Sequence, residues 1–369
     1  QCSCRPACGG DDGRLTLVQT LHQGDGGLSG FRGLRAVAAS LDGRHLYVAA
    51  QDSERVTLLV RTPSGTVRGD STVAGPVNDV VLLSEDRWLV SSGSDGLRFS
   101  QRDPDTGAIT SVGEAAGSFT GLSVSPDGRR LLAATGSGLY SFDFASGSPL
   151  LGRTLSSSEL GGTRKVALTQ DGRHAYAAAF DANQVVVLDV EGDALSVLTT
   201  ASGSPGLGSP DDVALFDDDR LLAVAGFCDS AVAVMERTPD TGAVTWRDAY
   251  GEQSDIPCVT NIDGGVFNHP GAVAATGRPG ELAVMTGERG YFPFYLLQWT
   301  GESLELTSVV PERPPVFDAS RFAFVTDPVP NQVPPNPLDF RGLVDVTRSG
   351  SELIGISGMT NALGVIADG

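Results

Sequence analysis

The chain has 369 residues, and its 26 Lys and Arg against 45 Asp and Glu leave a formal net charge of −19. Its 47 Gly and 21 Pro, with only 19% charged residues, exclude an all-helical fold and a coiled coil. The negative charge argues against nucleic acid as a partner. No apolar run approaches the ~18 residues that a membrane-spanning helix needs, so we predict no membrane span.

The N-terminal segment 1–13 is rich in cysteine and precedes the first predicted strand. The five cysteines of the chain are Cys2, Cys4, Cys8, Cys228 and Cys258. A zinc site in the segment would need a fourth Cys or His nearby, so disulfides formed in an oxidising compartment are the better interpretation. The chain starts at Gln1 and carries no signal-peptide pattern, so we expect a mature, secreted protein, extracellular or periplasmic, at a bacterial cell surface.

A phrase of short β-prone runs recurs along the chain. The first copy has runs at 33–40 and 45–50 around the turn Asp42-Gly43, and a third run at 56–60. An Asp-Gly turn favours a hairpin because Gly tolerates positive φ. In most copies a further turn introduces a fourth strand. Four strands in about 40–45 residues is the period of a β-propeller blade.

Seven such copies fill residues 14–369 as a single domain, so we predict an all-β, seven-bladed β-propeller with four-stranded blades. The last copy is one strand short, and the N-terminal run 14–21 supplies that strand and closes the ring, which removes two open sheet edges. A pair of β-sandwich domains is the alternative, and the regular period argues against it. The predicted blades are 33–73, 76–112, 119–155, 163–200, 210–250, 269–310, and 340–369 with 14–21.

Two insertions interrupt the repeat, at 251–268 and at 311–339. The second holds eight prolines, a density that a central sheet strand does not tolerate. It is either a long surface loop or a lid or docking arm.

Four turn phrases carry a family resemblance. They are LDGRHLYVA at 41–49, DPDTGAIT at 103–110, SPDGRRLL at 125–132 and TPDTGAVT at 238–245. They resemble the seven-bladed lactonase-type propeller family, which includes bacterial 6-phosphogluconolactonase and a fungal muconate-lactonising enzyme, and more widely the propellers named for a Tyr-Val-Thr-Asn signature. The resemblance covers the chain apart from the N-terminal cysteines and the two insertions. It implies the fold, because these residues build turns and cores rather than a reaction site.

The candidate site lies on the face shared by the loops between blades and the loops that join second to third strands. The resemblance implies a set of His, Arg and carboxylate groups in the channel, and the candidates of those types are His269, Arg164, Arg35 and Asp212. A histidine base could activate water while the arginines hold a carboxylate or an oxyanion. No single motif joins the four residues, and the sequence favours a structural His269 over a catalytic one.

No cofactor is predicted, although calcium at an acidic mouth is a further candidate. Cys228 and Cys258 belong to two loops of the same face, so we predict a Cys228–Cys258 disulfide, which would stabilise the fold by ~3 kcal/mol. Among Cys2, Cys4 and Cys8, one then lacks an internal partner, which suggests a disulfide to another subunit.

The leading functional hypothesis is a secreted, non-catalytic propeller that binds a protein partner or self-associates as an assembly module. The acidic surface, the cysteines and the proline-rich insertion motivate it. The alternative is a lactonase-like hydrolase that acts on a small lactone at the channel mouth.

Overall fold

The computed structural model describes residues 15–25, 28–62, 65–75, 77–83, 85–125, 127–144, 148–192, 194–251, 269–286, 294–310, 344–349, 352–357 and 362–368. The segment 1–13, the insertion 311–339 and all but the first residue of the insertion 251–268 lie outside the described residues. The described part begins with strand β1 (Leu15–His22).

The next three groups of four strands form antiparallel sheets in chain order, here called blades 1 to 3. Blade 1 contains β2 (Leu34–Ala39), β3 (His45–Ala50), β4 (Arg55–Thr62) and β5 (Gly65–Ala74). Blade 2 contains β6 (Asp79–Leu83), β7 (Trp88–Gly93), β8 (Gly96–Arg102) and β9 (Ile109–Ala116). Blade 3 contains β10 (Leu122–Val124), β11 (Arg130–Thr135), β12 (Gly138–Asp143) and β13 (Leu150–Ser156).

Blades 4 to 6 repeat this arrangement. Blade 4 contains β14 (Thr163–Leu168), β15 (His174–Ala179), β16 (Gln184–Asp189) and β17 (Ser196–Ala201). Blade 5 contains β18 (Pro210–Phe216), β19 (Leu221–Gly226), β20 (Ala231–Arg237) and β21 (Val244–Gly251). Blade 6 contains β22 (Pro270–Ala275), β23 (Glu281–Thr286), β24 (Phe294–Trp299) and β25 (Leu304–Val310).

Blade 7 joins the two ends of the chain. It contains β26 (Val344–Ser349), β27 (Glu352–Ser357), β28 (Ala362–Asp368) and, as its outer strand, β1. The pairing of β1 with β28 runs from Leu15 opposite Asp368 to His22 opposite Ala362. Each inner strand contacts the inner strands of both neighbouring blades, from β2 round to β26 and back to β2. The seven-bladed propeller predicted from the repeat, with its N-terminal closing strand, is confirmed.

The core lies between blades rather than at one centre. Second strands such as His45–Ala50 and Leu221–Gly226 are buried throughout because a neighbouring blade covers each of their faces. Between blades 4 and 5, for example, Tyr176, Val224 and Met235 are almost completely inaccessible. Outer strands such as β13 are mostly exposed. Repeated apolar layers between the blades therefore hold the ring together.

Candidate active site at the channel mouth

One face of the ring collects the starts of the inner strands and the ends of the second strands. The strands are antiparallel, so Arg35 near the start of β2 lies at the same edge as Gln51, which follows β3. The Arg35 guanidinium donates a hydrogen bond to Gln51 Oε1. Gln51 Nε2 lies 3.3 Å from Asn78 Oδ1, and Asn78 Nδ2 donates to Phe119 O at 2.8 Å. This polar chain runs from blade 1 to blade 3 around the mouth.

On the other side of the mouth, Arg164 joins a row of contacting aromatic rings. Its guanidinium carbon lies 3.3 Å from the ring centroid of Phe180, and its Nη1 forms an ion pair with Asp211. Phe180 contacts Phe227 at 5.8 Å between centroids, and Phe227 contacts the His269 ring at 4.5 Å. We call Arg164, Phe180, Phe227 and His269 the aromatic ladder. It extends from blade 4 across blade 5 to the start of blade 6.

His269 ends the ladder in a strained backbone conformation. Its φ of 47° falls in the left-handed region, and Ser209, which stands at the same place directly before β18, also has a φ of 47°. Burial lowers the pKa of His269 below its ordinary value of 6.5, because removing water disfavours the charged ring. A neutral imidazole at neutral pH can accept a proton, as a general base must.

Asp212 lies on the same face but is buried, with 7% of its surface exposed. Its Oδ1 accepts the main-chain N–H of Val213 at 2.8 Å, and its Oδ2 accepts that of Val273 in blade 6 at 2.9 Å. Asp79 makes the same two contacts in blade 2, with Val80 and with Leu122 of blade 3. Each carboxylate thus ties its inner strand to the next one.

The predicted site residues therefore fall into separate contacts. Arg164 and His269 share the aromatic ladder, Arg35 lies in the polar chain of blades 1 to 3, and Asp212 links blades 5 and 6. The carboxylate that touches Arg164 is Asp211, the residue before the predicted one. The four residues share one face, as the propeller topology requires. Their catalytic assignment stays a prediction.

Sequence reasoning missed Phe180 and Phe227, although a signal for them exists. Both directly follow a second strand, at the place where blade 1 has Gln51. Two phenylalanines in place of a polar residue break the repeat at this turn, and an apolar residue out of pattern near the mouth is typical of a binding surface.

Acidic residues of the mouth turns have structural partners. Asp229 Oδ2 accepts the N–H of Gly208 at 2.8 Å, and Arg98 pairs with Asp95 and holds its pKa below the ordinary range. Glu288, an acidic residue two positions after the end of β23, lies outside the described residues. Among the residues that the structure describes, no group of three or more His, Cys, Asp or Glu could hold a metal ion.

Cys228 is disulfide-bonded. Cys258 lies outside the described residues, so the Cys228–Cys258 pairing stays a prediction. Cys2, Cys4 and Cys8 also lie outside them. Within the described part of the chain, no helix is long and apolar enough to cross a membrane.

The family model described as "Lactonase, 7-bladed beta-propeller" matches residues 150–260, which contain every member of the aromatic ladder except His269. The resemblance to the lactonase-type propellers is confirmed. No match is found among the curated proteins.

Solved structures agree on the lactonase-type fold. A Bacteroides uniformis protein described as a candidate 6-phosphogluconolactonase has a TM-score of 0.62 at 14% identity, and the match covers 74% of this chain and 83% of that one. The periplasmic gluconolactonase of Pseudomonas aeruginosa has a TM-score of 0.61 at 17% identity, over 74% of this chain and 84% of that one. A Desulfotomaculum acetoxidans protein of unknown function has a TM-score of 0.62 at 14% identity, over 77% and 87%.

These findings correct the leading functional hypothesis. The prediction of a non-catalytic binding or assembly module is wrong, because the matching family is one of lactonases and two of the similar structures carry lactonase names. They favour the alternative, a lactonase-like hydrolase. The physical reason for the error is that the mouth residues come from different blades. They are far apart along the chain, so no catalytic motif in the sequence reveals them.

Proposed function

We propose that the protein is a lactonase-like hydrolase that opens a small lactone at the channel mouth. The observation that carries this proposal is the aromatic ladder, which places a guanidinium and a half-buried, neutral imidazole along one wall of the mouth. The family match to residues 150–260 supports it independently. The half-buried rings of Phe180 and Phe227 also suit the apolar face of a sugar-derived ring.

In the proposed reaction, His269 takes a proton from water, and the resulting hydroxide attacks the lactone carbonyl carbon. The carbonyl oxygen becomes an oxyanion, which Arg164 stabilises through its guanidinium donors. Asp211 and the Phe180 ring fix the plane of that guanidinium. The bond from the carbonyl carbon to the ring oxygen then breaks, and the His269 imidazolium returns the proton to the leaving alkoxide. The product is the open-chain hydroxy acid.

Asp212 is a positioning residue in this scheme. Its carboxylate holds the N–H of Val273 on β22, the strand that begins directly after His269. Arg35, whose guanidinium Gln51 orients from blade 1, binds the part of the substrate that is distant from the carbonyl.

We also propose that the protein acts outside the cytoplasm. The bonded state of Cys228 supports an oxidising compartment, and one structural neighbour is named as periplasmic. A disulfide-linked partner through the N-terminal cysteines is a separate proposal. Gel mobility of the mature protein with and without reductant tests it, and a single monomer band under both conditions would exclude it.

The hydrolase proposal is tested with D-glucono-δ-lactone and a panel of γ-lactones, by titrating the acid released above the spontaneous rate. We expect His269→Gln to lower kcat/KM by about 10²–10⁴-fold, the range of a lost general base. Arg247→Gln is the matched control because Arg247 is an exposed residue on the outer strand β21. A folded native protein that hydrolyses none of these lactones would exclude the proposal, and full activity of His269→Gln would exclude the assigned base.

A further inference from the structure

Lys165 is the only lysine among the 26 basic residues of the chain. It lies on the inner strand β14, directly before Val166. Val166 pairs with Ala177, the fourth residue of β15, which is the second strand of blade 4. We call this place the junction position. The junction positions of blades 1 to 7 hold Ala36, Asp79, Gly121, Lys165, Asp212, Ala272 and Asp345. The single lysine is therefore also the single cation at this level of the ring.

The Lys165 side chain spans a whole blade. Its Nζ lies 3.1 Å from Asp79 Oδ2, although Lys165 belongs to blade 4 and Asp79 to blade 2. Gly121 of blade 3 lets the main chain of β14 come close, because a Cβ at Gly121 would lie 1.9 Å from Arg164 O and 3.3 Å from Lys165 Cα. A compact ammonium on a flexible stem suits the reach from β14 to Asp79.

The Asp79 carboxylate does not need the ammonium in order to be satisfied. It already accepts the N–H groups of Val80 and Leu122, as Asp212 accepts those of Val213 and Val273 in blade 5. The Asp79 side chain is 3% exposed, whereas the Lys165 side chain is 25% exposed. The cation is thus the accessible member of the pair.

Lys165 also adjoins the aromatic ladder. It follows Arg164 on the same strand, at an irregularity in the pairing of β14 with β15 between Thr163 and Val166. Arg164 turns towards Asp211 of blade 5, and Lys165 turns towards blades 3 and 2. Two cations on one strand end therefore flank the part of the mouth where the proposed reaction develops negative charge.

We propose that Lys165 is a substrate-contacting residue of this site, and that its ammonium binds the oxyanion and then the carboxylate of the ring-opened acid. This inference rests on the proposed hydrolase function. The ligand class is a small polyhydroxy acid and its lactone. In the free protein Asp79 holds the ammonium in place, and the ligand oxygen joins or replaces that contact.

A single lysine makes a selective labelling experiment possible. The native protein is reductively methylated with formaldehyde and a borohydride, and the Lys165 peptide is followed by mass spectrometry with D-gluconate or with sorbitol present. Sorbitol is the matched control because it has the hydroxyl groups without the carboxylate. We expect gluconate at about ten times its Kd to slow labelling about tenfold, by mass action, and sorbitol to leave the rate unchanged. Equal rates with both compounds, or a Lys165 that resists labelling, would overturn the proposal.

Two variants separate contact with substrate from a structural role. Lys165→Ala removes the ammonium, and the double variant Asp79→Ala with Lys165→Ala removes both charges and reproduces the alanine of blades 1 and 6. We expect kcat/KM to fall about 100-fold in the first variant and to stay low in the second, because the lost interaction is with the oxyanion. Activity restored in the double variant would show that Lys165 only neutralises Asp79, and would overturn the proposal.

The outcomes distinguish this inference from the proposed function. Lactone hydrolysis that persists undiminished in Lys165→Ala, with no protection by gluconate, would overturn the role of Lys165 and leave the hydrolase proposal standing. A native protein that hydrolyses no lactone but is protected by gluconate would overturn the hydrolase proposal, and would support Lys165 as the residue that binds the acid.

Discussion

The two faces of the ring differ in how closely their side-chain contacts repeat from one blade to another. On the face opposite the mouth, blades 1 and 2 share a buried cluster of His45, Tyr47 and Arg102. Arg102 Nε donates to the Tyr47 hydroxyl at 2.7 Å, Arg102 Nη2 lies 2.8 Å from His45 Nδ1, and the Tyr47 hydroxyl donates to Gly107 O at 2.6 Å. We call these four residues the first latch.

Blades 4 and 5 contain a second latch of the same residue types. Tyr176 donates to Gly242 O at 2.8 Å, and Arg237 Nη2 lies 3.2 Å from His174 Nδ1. Gly242 has a φ of 68°, and a Cβ there would lie 2.4 Å from the His174 ring, as at Gly107 and His45 in the first latch.

At the mouth, blades 1 and 4 have diverged. Arg35 and Arg164 directly precede their junction positions, but Arg35 contacts Gln51 and Arg164 contacts Asp211 and a phenylalanine face. The comparison shows that contacts repeated from blade to blade join neighbouring blades. The residues that break the repeat lie at the candidate site. The three changes below test that division, from the largest expected effect to the smallest.

Arg102→Ala should have the largest effect, and it should act on stability. The change leaves the buried Tyr47 hydroxyl and the His45 ring without their cationic partner, which we expect to lower the free energy of unfolding by about 3 kcal/mol. Urea unfolding gives this value. We expect kcat/KM per folded molecule to stay unchanged, because no latch residue lies at the mouth.

Two further variants give smaller stability changes with which the Arg102→Ala value is compared. Arg237→Ala should destabilise less than Arg102→Ala, because its contact with His174 is longer. Arg247→Ala, in an exposed pair with Glu236, should change stability by no more than about 1 kcal/mol. A loss of activity in folded Arg102→Ala that exceeds its loss of stability would contradict the division between the faces.

Phe227→Leu should have the next largest effect, and it should act on catalysis. Leucine keeps most of the buried apolar surface but loses the ring contacts with Phe180 and His269, which are worth about 0.5–1.5 kcal/mol. We expect kcat/KM to fall about tenfold, since 1.4 kcal/mol in the barrier is a factor of ten. The pKa of His269 should rise towards its ordinary value as water enters, which moves the acid limb of the pH profile to higher pH.

The same substitution elsewhere is the control. Phe142→Leu lies in the core between blades 2 and 3, where Phe142 contacts Phe99 at 5.4 Å. It should lower stability and leave the pH profile unchanged. An unchanged profile in Phe227→Leu would show that the aromatic ladder does not set the state of His269.

The difference between the faces also explains what the sequence could predict. Turns such as Asp42-Gly43 recur because each blade needs a residue with positive φ at that place, and Gly43 has a φ of 68°. The blades and the closing strand follow from such local requirements. The latches have a local signal as well, since the phrase Asp-Thr-Gly-Ala follows Pro104 and Pro239.

The mouth contacts depend instead on how neighbouring blades are placed in space. The contact of Phe180 with Phe227 joins two blades at equivalent turns, and the contact of Lys165 with Asp79 joins blade 4 to blade 2. Spacing along the chain does not encode either contact. The choice of Asp212 over Asp211 had the same origin, because Asp211, at an irregularity of the strand pairing, contacts Arg164 of blade 4, whereas Asp212 contacts Val273 of blade 6.

Acidification should give the smallest effect, and it should weaken the latches first. Burial, followed by the charge of Arg102 or Arg237, lowers the pKa of His45 and His174 below 6.5 in the folded protein. Asp42 and Asp103 oppose this at His45, as Asp171 and Asp189 do at His174, whereas Arg44 and Arg173 add to it. The neutral rings therefore contribute stability that is present above pH 6.5 and is lost as the pH falls below it.

The urea midpoint measured from pH 8 down to pH 5 tests this, with the double variant His45→Gln and His174→Gln as the comparison. Glutamine has no charge to gain, so the midpoint of the double variant should fall less over this range than that of the native protein. A parallel decline in both proteins would assign the acid sensitivity to other groups. His269, whose pKa is also lowered, remains in both and makes the same contribution to each curve. The difference between the curves therefore reports the latches alone, and separates their titration from that of the mouth.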